Sequence, residues 1–161
     1  MTDQQTDFLS DAAAAATSAV HPFPEMAACE AALESAWGNS ELAREANNLF
    51  GMKLSRVSPN SGKFLALPTR EFEHGQWFET TAKWAVYESW ADCFEDRAKT
   101  LHRLSSVFLH YHAALDATDP MTYITEVSKT WSTDPNRAAK VISIYQEWQQ
   151  WKTQNSTQSN A

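Results

Sequence analysis

Glycine is scarce in this 161-residue chain, with only four residues. None of them forms the glycine-rich turn that cradles a phosphate, so a nucleotide-binding loop is excluded. Cysteine is scarcer still: Cys29 and Cys93 lie far apart in sequence, on predicted helix faces, and are expected to be free, buried thiols rather than a disulfide. Positive charge is also in short supply. Thirteen Lys and Arg against 20 Asp and Glu give a net charge of −7 and a pI near 5.1, which opposes nucleic-acid binding because phosphates would be repelled. No apolar run approaches the roughly 18 residues of a membrane span, so no stable membrane insertion is expected. The five histidines do not converge on a metal site. His110 and His112 are two apart, which does not place them on one helix face, and no metal or other cofactor is expected.

What the chain does have is enough apolar surface for one real core. Hydrophobic residues make up 43% and aromatic residues 12%, sufficient for a single domain over 1–152 followed by a polar tail at 153–161. Helices are expected at about 4–19, 24–37, 40–46, 90–107, 120–129 and 135–151. Their starts are marked by Pro22 and Pro24, by Ser89 with Asp92 as a capping box, and by Asp119-Pro120 and Asp134-Pro135. In the last helix Ala138, Val141, Ile142, Tyr145, Trp148 and Trp151 form one core-facing stripe. Between residues 50 and 88 the pattern shifts to alternation: Phe64–Phe72 and Gln76–Val86 read as a β-hairpin turning at His74-Gly75, after a loop at Ser55 to Gly62. No internal repeat and no second domain is visible.

One carboxylate stands out. Glu34 lies in Ala31-Ala32-Leu33-Glu34-Ser35-Ala36-Trp37-Gly38, at the last turn of a helix that Gly38 stops. Apolar neighbours and the negative end of the helix dipole both disfavour its charged form, which suits it to donate a proton.

The run continues through Gly38-Asn39-Ser40-Glu41-Leu42-Ala43 to Ala46-Asn47-Asn48-Leu49-Phe50-Gly51-Met52-Lys53. Further on come Pro68-Thr69-Arg70-Glu71-Phe72, Ala82-Lys83-Trp84-Ala85-Val86-Tyr87-Glu88-Ser89 and Thr130-Trp131-Ser132-Thr133-Asp134-Pro135-Asn136. In order and spacing this set resembles the peptidoglycan glucosaminidases of glycoside hydrolase family 73, over about residues 24 to 150. The resemblance implies an α+β, mainly α, lysozyme-like fold in which a small β lobe forms one wall of a substrate cleft. It implies cleavage of β-1,4 bonds in the glycan strand of peptidoglycan by an endo-β-N-acetylglucosaminidase, with an N-acetylmuramidase or a weakly active wall-binding component of a phage tail or secretion apparatus as alternatives.

Glu34 then becomes the general acid. Glu71, in the position matching the family's Thr-x-Glu-Tyr/Phe, inherits the role of second carboxylate, and Glu73, two residues on in the same strand, stays a rival. Sugar contacts are expected from Trp37, Trp77 and Trp131, whose flat faces suit the C–H side of a ring, and from Asn48, Phe50 and Tyr87. Trp131 departs from the family, which commonly has tyrosine there: an indole donates one hydrogen bond and accepts none, and it serves either as a stacking platform or as core filler. The acidic first residues Asp3, Asp7 and Asp11 lack the positive region of a secretory leader. The expectation is therefore a monomer made in the cytoplasm that reaches the wall through a holin or a secretion machine, in the manner of a phage endolysin or an injected effector.

Overall fold

The computed structural model describes residues 1–55, 62–73 and 76–158, and within that range the side chains of all but residues 70–73, 77 and 157–158. Seven helices and one hairpin follow in the order α1 (Asp3–Ser18), α2 (Pro24–Glu34), α3 (Glu41–Ala46), β1 (Phe64–Glu73), β2 (Gln76–Ala85), α4 (Trp90–Leu104), α5 (Leu109–Leu115), α6 (Pro120–Trp131) and α7 (Arg137–Gln158). The mainly helical α+β architecture expected from the sequence is the one observed.

Helix α2 is the axis of the helical body. Met26, Ala27, Ala28, Cys29, Glu30, Ala31 and Ala32 are all buried, so it is covered on every side. Its alanines let neighbours come close: α1, α6 and α7 pack against it, and α4 closes on α1. Leu9, Ala12 and Ala16 enter from α1, Phe94 and Leu101 from α4, Ile124 and Val127 from α6, and Val141 and Trp148 from α7. The α7 stripe is the one anticipated, with Ile142, Tyr145 and Trp151 packed at its margin. Cys29 and Cys93 are free and buried, and burial pushes both thiols up to about 12.

Several boundaries differ from expectation. Helix α5 was missed because its only buried members are Tyr111 and Ala114, too few to give a periodic signal. Helix α7 begins at Arg137, two residues beyond Pro135, because Asp134 first closes a short turn by accepting from the Asn136 N–H at 2.9 Å. It continues through Gln158, so the polar residues 153–158 of the expected tail extend the helix, and the rest of that tail lies outside the described residues. The capping box of Ser89 and Asp92 and the Asp119 cap form as expected.

The β1–β2 pair is antiparallel, with Phe64 opposite Ala85 and Glu73 opposite Gln76. One face is half-buried, through the pairs Leu65–Trp84, Leu67–Ala82 and Thr69–Thr80, which is the period-two pattern of a sheet with one covered side. The expected turn at His74-Gly75 and most of the expected loop at Ser55 to Gly62 lie outside the described residues. Asn48 ties the hairpin base to the helical body. Its Nδ2 donates to the carbonyls of Met52 and Ala85 at 2.8 and 2.9 Å, and its Oδ1 accepts from the Met52 N–H at 2.9 Å.

Helix α2 ends at Glu34, short of Gly38. Ala36, Trp37 and Gly38 have φ of +51°, +59° and +76°, a left-handed path that is costly for residues with a Cβ. Compensating bonds hold it: Trp37 N–H to Ala32 O at 2.8 Å, Gly38 N–H to Ser35 Oγ at 2.8 Å and Ser40 N–H to Ser35 O at 2.9 Å. A Cβ on Gly38 would lie 2.9 Å from a ring carbon of Phe8, which is itself confined in the core beside Trp37 and Trp90. Gly38→Ala is therefore expected to destabilise the fold by about 2–4 kcal/mol, combining left-handed strain with overpacking, as read by chemical denaturation.

Candidate active site

Glu34 occupies the final position of a buried helix, just before that strained turn, and its side chain remains 24% exposed. The apolar setting expected from its neighbours in sequence is not what surrounds it. Arg137, the first residue of α7, donates from Nε to Glu34 Oε1 at 2.7 Å. Local sequence could not show this, because 103 positions separate the two residues.

Arg137 is in turn part of a buried cluster. Its Nη2 donates to Glu30 Oε1 at 2.5 Å and its Nη1 to Ser128 Oγ at 2.9 Å. Arg97 Nη2 donates to the same Glu30 oxygen. Glu30, Arg97 and Arg137 are each 2% exposed or less, and Glu34 adds a second carboxyl group to the two guanidinium groups. Burial by itself would push the Glu30 carboxyl up; the Arg97 and then the Arg137 charges outweigh it and hold Glu30 below the usual carboxylate range. For Arg137 burial pulls downward, and the Glu30 charge and hydrogen bond, followed by those of Glu34, outweigh it and raise the guanidinium further.

Trp131 closes the cluster from outside. It is half-buried at the end of α6, its ring centroid lies 3.6 Å from Arg97 Cζ, and it also lines an open groove of about 930 Å³ with Phe108, Lys129 and Asp134. The guanidinium beneath it makes it a cation–π lid on a buried arginine, a role absent from both sequence-based expectations.

The other expected sugar contacts divide. Trp37 is half-buried, edge-on to Phe8 at 6.3 Å. Phe50 is core, packed on Phe94 at 5.3 Å and under Arg97 at 5.1 Å. Asn48 is 1% exposed with its amide bonded to backbone at three points, a structural tie between the hairpin base and the helical body. Tyr87 is buried too, and its hydroxyl donates to Asp96 Oδ2 at 2.6 Å instead of entering a cleft. Glu71 stands opposite Phe78 and Trp77 opposite Phe72 in the hairpin register; the side chains of Glu71, Glu73 and Trp77 lie outside the described residues. Among the described residues no set of His, Cys, Asp and Glu is grouped for a metal.

Glu30, Arg97 and Arg137 were missed by sequence reasoning, although a signal for two of them was present. Glu30 interrupts an otherwise wholly apolar stretch of α2, and Arg97 shares an i, i+3, i+7 stripe with the apolar Phe94 and Leu101. Charges at core positions need partners.

A family model described as glucosaminidase, mannosyl-glycoprotein endo-beta-N-acetylglucosaminidase, matches residues 10–150. The chain belongs to this glucosaminidase family, glycoside hydrolase family 73. Among family relatives, the exo-glucosaminidase LytG of Bacillus subtilis (strain 168) is 32% identical over 130 residues, covering 80% of this chain and 45% of LytG. A probable N-acetylmuramidase of Lactococcus lactis is 28% identical over 130 residues, covering 78% of this chain and 29% of that protein. The chain thus spans less than half the length of these relatives. The catalytic domain of the Listeria monocytogenes autolysin Auto superposes with a TM-score of 0.77 at 26% identity, covering 92% of this chain and 86% of that domain. No helix among the described residues is long and apolar enough to cross a membrane.

Two measurements probe this cluster. His21, next to α2, accepts the Phe23 N–H at Nδ1 (3.0 Å) and bonds the Tyr123 hydroxyl through Nε2 at 3.1 Å. Burial holds it down to about 4, against the Glu30 charge and with help from Arg97. An unfolded histidine titrates near 6.5, so below that pH the unfolded chain takes up a proton that the native state refuses. This contribution to stability is complete above about pH 6.5 and is lost as pH falls toward about 4, by about 2–3 kcal/mol. Urea denaturation at pH 7 and 4.5 should show the loss, and His21→Gln should shrink the difference between the two pH values by about that amount. Trp131→Ala, which uncovers Arg97, should cost on the order of 2–4 kcal/mol by the same assay, whereas a tryptophan serving only as an exposed platform would leave stability unchanged.

Proposed function

We propose that this domain hydrolyses β-1,4 bonds in the glycan strand of peptidoglycan, on the reducing side of N-acetylglucosamine, as an endo-β-N-acetylglucosaminidase. The observation that carries this reading is the placement of Glu34. Of the two carboxyl groups in the cluster it is the one whose side chain is partly exposed, and it sits at the end of a buried helix with the Arg137 guanidinium at its back. Such a group can protonate a leaving oxygen. The substrate class is supported by the family description, which names N-acetylglucosamine, and by a relative's name, which refers to N-acetylmuramic acid, the two sugars that alternate in peptidoglycan. The probable N-acetylmuramidase among them supports a second reading, cleavage on the other side of the repeat. Glu71 is the proposed second carboxylate, managing the oxocarbenium-like centre either by activating water or by stabilising charge while the substrate's 2-acetamido group attacks.

Mass spectrometry of fragments released from purified peptidoglycan decides the bond, because a reducing-end N-acetylglucosamine marks the glucosaminidase and a reducing-end N-acetylmuramic acid the muramidase. In the same assay Glu34→Gln should lower turnover by a factor on the order of 10² to 10⁴ with the fold intact. Retention of more than about a tenth of wild-type turnover would end the acid assignment. Glu71→Gln should be more damaging than Glu73→Gln; the reverse order moves the second role to Glu73.

A further inference from the structure

A glutamate at a helix end has three rotatable side-chain bonds, and 24% exposure leaves Glu34 room to use them. An acid catalyst must instead point one oxygen at the substrate, since displacement by about 1 Å can cost on the order of 10²-fold in rate. The restraint on Glu34 comes from Arg137. All three of its nitrogens are engaged with three different side chains: Nε with Glu34 at 2.7 Å, Nη1 with Ser128 at 2.9 Å and Nη2 with Glu30 at 2.5 Å. The guanidinium is planar and rigid, so two of those bonds fix the direction of the third. Glu30 is itself clamped by Arg97 and is 1% exposed, which keeps it from touching any substrate.

We infer that Arg137, anchored on Glu30 and Ser128, is a positioning residue that holds Glu34 in one orientation and makes Oε2 the atom that carries and delivers the proton. The inference rests on Glu34 being the acid. The direction of the hydrogen bond assigns the oxygen. Oε1 already accepts the Nε–H, and in a protonated carboxyl the carbonyl oxygen is a better acceptor than the hydroxyl oxygen; the form that keeps this bond strongest therefore carries its hydrogen on Oε2. In the reaction that proton moves from Oε2 to the glycosidic oxygen as the C1–O bond breaks, the bonding pair leaves with that oxygen, and Glu34 becomes a carboxylate. Arg137 remains a cation throughout and faces the charge as it forms on Glu34, so the contact strengthens toward the transition state. C1 gains its new bond to oxygen from water, either directly or after the 2-acetamido oxygen has taken that place, and the proton this water gives up restores the Glu34 carboxyl through solvent. The other titratable groups that act on Arg137 include Glu30 on α2, Tyr111 on α5, Tyr123 on α6 and Asp134 before α7, while Arg97 on α4 and His21 before α2 act on Glu30, and His21 is uncharged near neutral pH.

The test is a double-mutant cycle between Arg137→Gln and Glu34→Gln on purified peptidoglycan, with melting temperature and near-ultraviolet circular dichroism recorded for every variant. Arg137→Gln should lower kcat by about 10- to 100-fold with KM within about twofold. Glu30→Gln combined with Arg137→Gln removes one charge of each sign from the interior and should show the same kcat loss in a protein that folds. Arg137→Lys, which keeps the charge but lacks the fork, should restore part of the loss. In the Glu34→Gln background, adding Arg137→Gln should change the residual rate by less than about twofold, because a group that acts through Glu34 has nothing left to position. A folded Arg137→Gln or double variant with wild-type kcat overturns the inference, as does an undiminished loss in the Glu34→Gln background. Failure of the acid assignment is read separately, from high activity of the Glu34→Gln single variant, and would remove the inference with it.

Discussion

A carboxylate sealed inside a helix bundle governs much of this structure. Glu30 lies on the buried helix against which α1, α6 and α7 pack, and an unpaired charge there would cost several kcal/mol. Arg97 from α4 and Arg137 from α7 meet it from two sides, so the positions of both helices relative to α2 are tied to one oxygen, Glu30 Oε1. An apolar side chain of similar volume could fill the same space with comparable stability. It could not fix the rotation and register of α4 and α7, and it could not hold a guanidinium behind Glu34.

The same arrangement explains what lies around it. Trp131 at the end of α6 stacks on the Arg97 plane and covers a group whose Nε and Nη1 have no hydrogen-bond partner among the described residues. Ser128, one turn earlier, takes the remaining nitrogen of Arg137. Beyond Glu34 the chain leaves the helix through three left-handed residues stitched to Ser35 and Ala32. Backbone strain of this kind persists only where its surroundings over-determine it, and here it borders Glu34, the proposed acid. On the opposite flank Asn48 gives the hairpin a fixed base by spending its amide on the backbone.

Much of the fold was legible in the sequence because it depends on local rules. The starts of α2, α4 and α6 follow from Pro24, from Ser89 with Asp92 and from Asp119 with Pro120, since caps and first-turn prolines act within a few residues. The hairpin follows from period-two alternation, and the α7 stripe from period 3.6. The family signature around Glu34 is likewise contiguous. Helix α5 escaped because a short element with two buried residues has no period to detect.

Only the tertiary structure decided how the charges pair. Glu34 with Arg137 and Glu30 with Arg97 are contacts between residues 103 and 67 positions apart, and no local propensity encodes them. The sequence could place Glu34 at a helix end among apolar neighbours, but packing brought a guanidinium there. It could name Asn48, Phe50 and Tyr87, but burial gave those side chains to the framework. Periodicity and capping are short-range, so composition and order along the chain determined the elements; electrostatic partners in a core are chosen by which helices meet, and that choice belongs to the folded molecule.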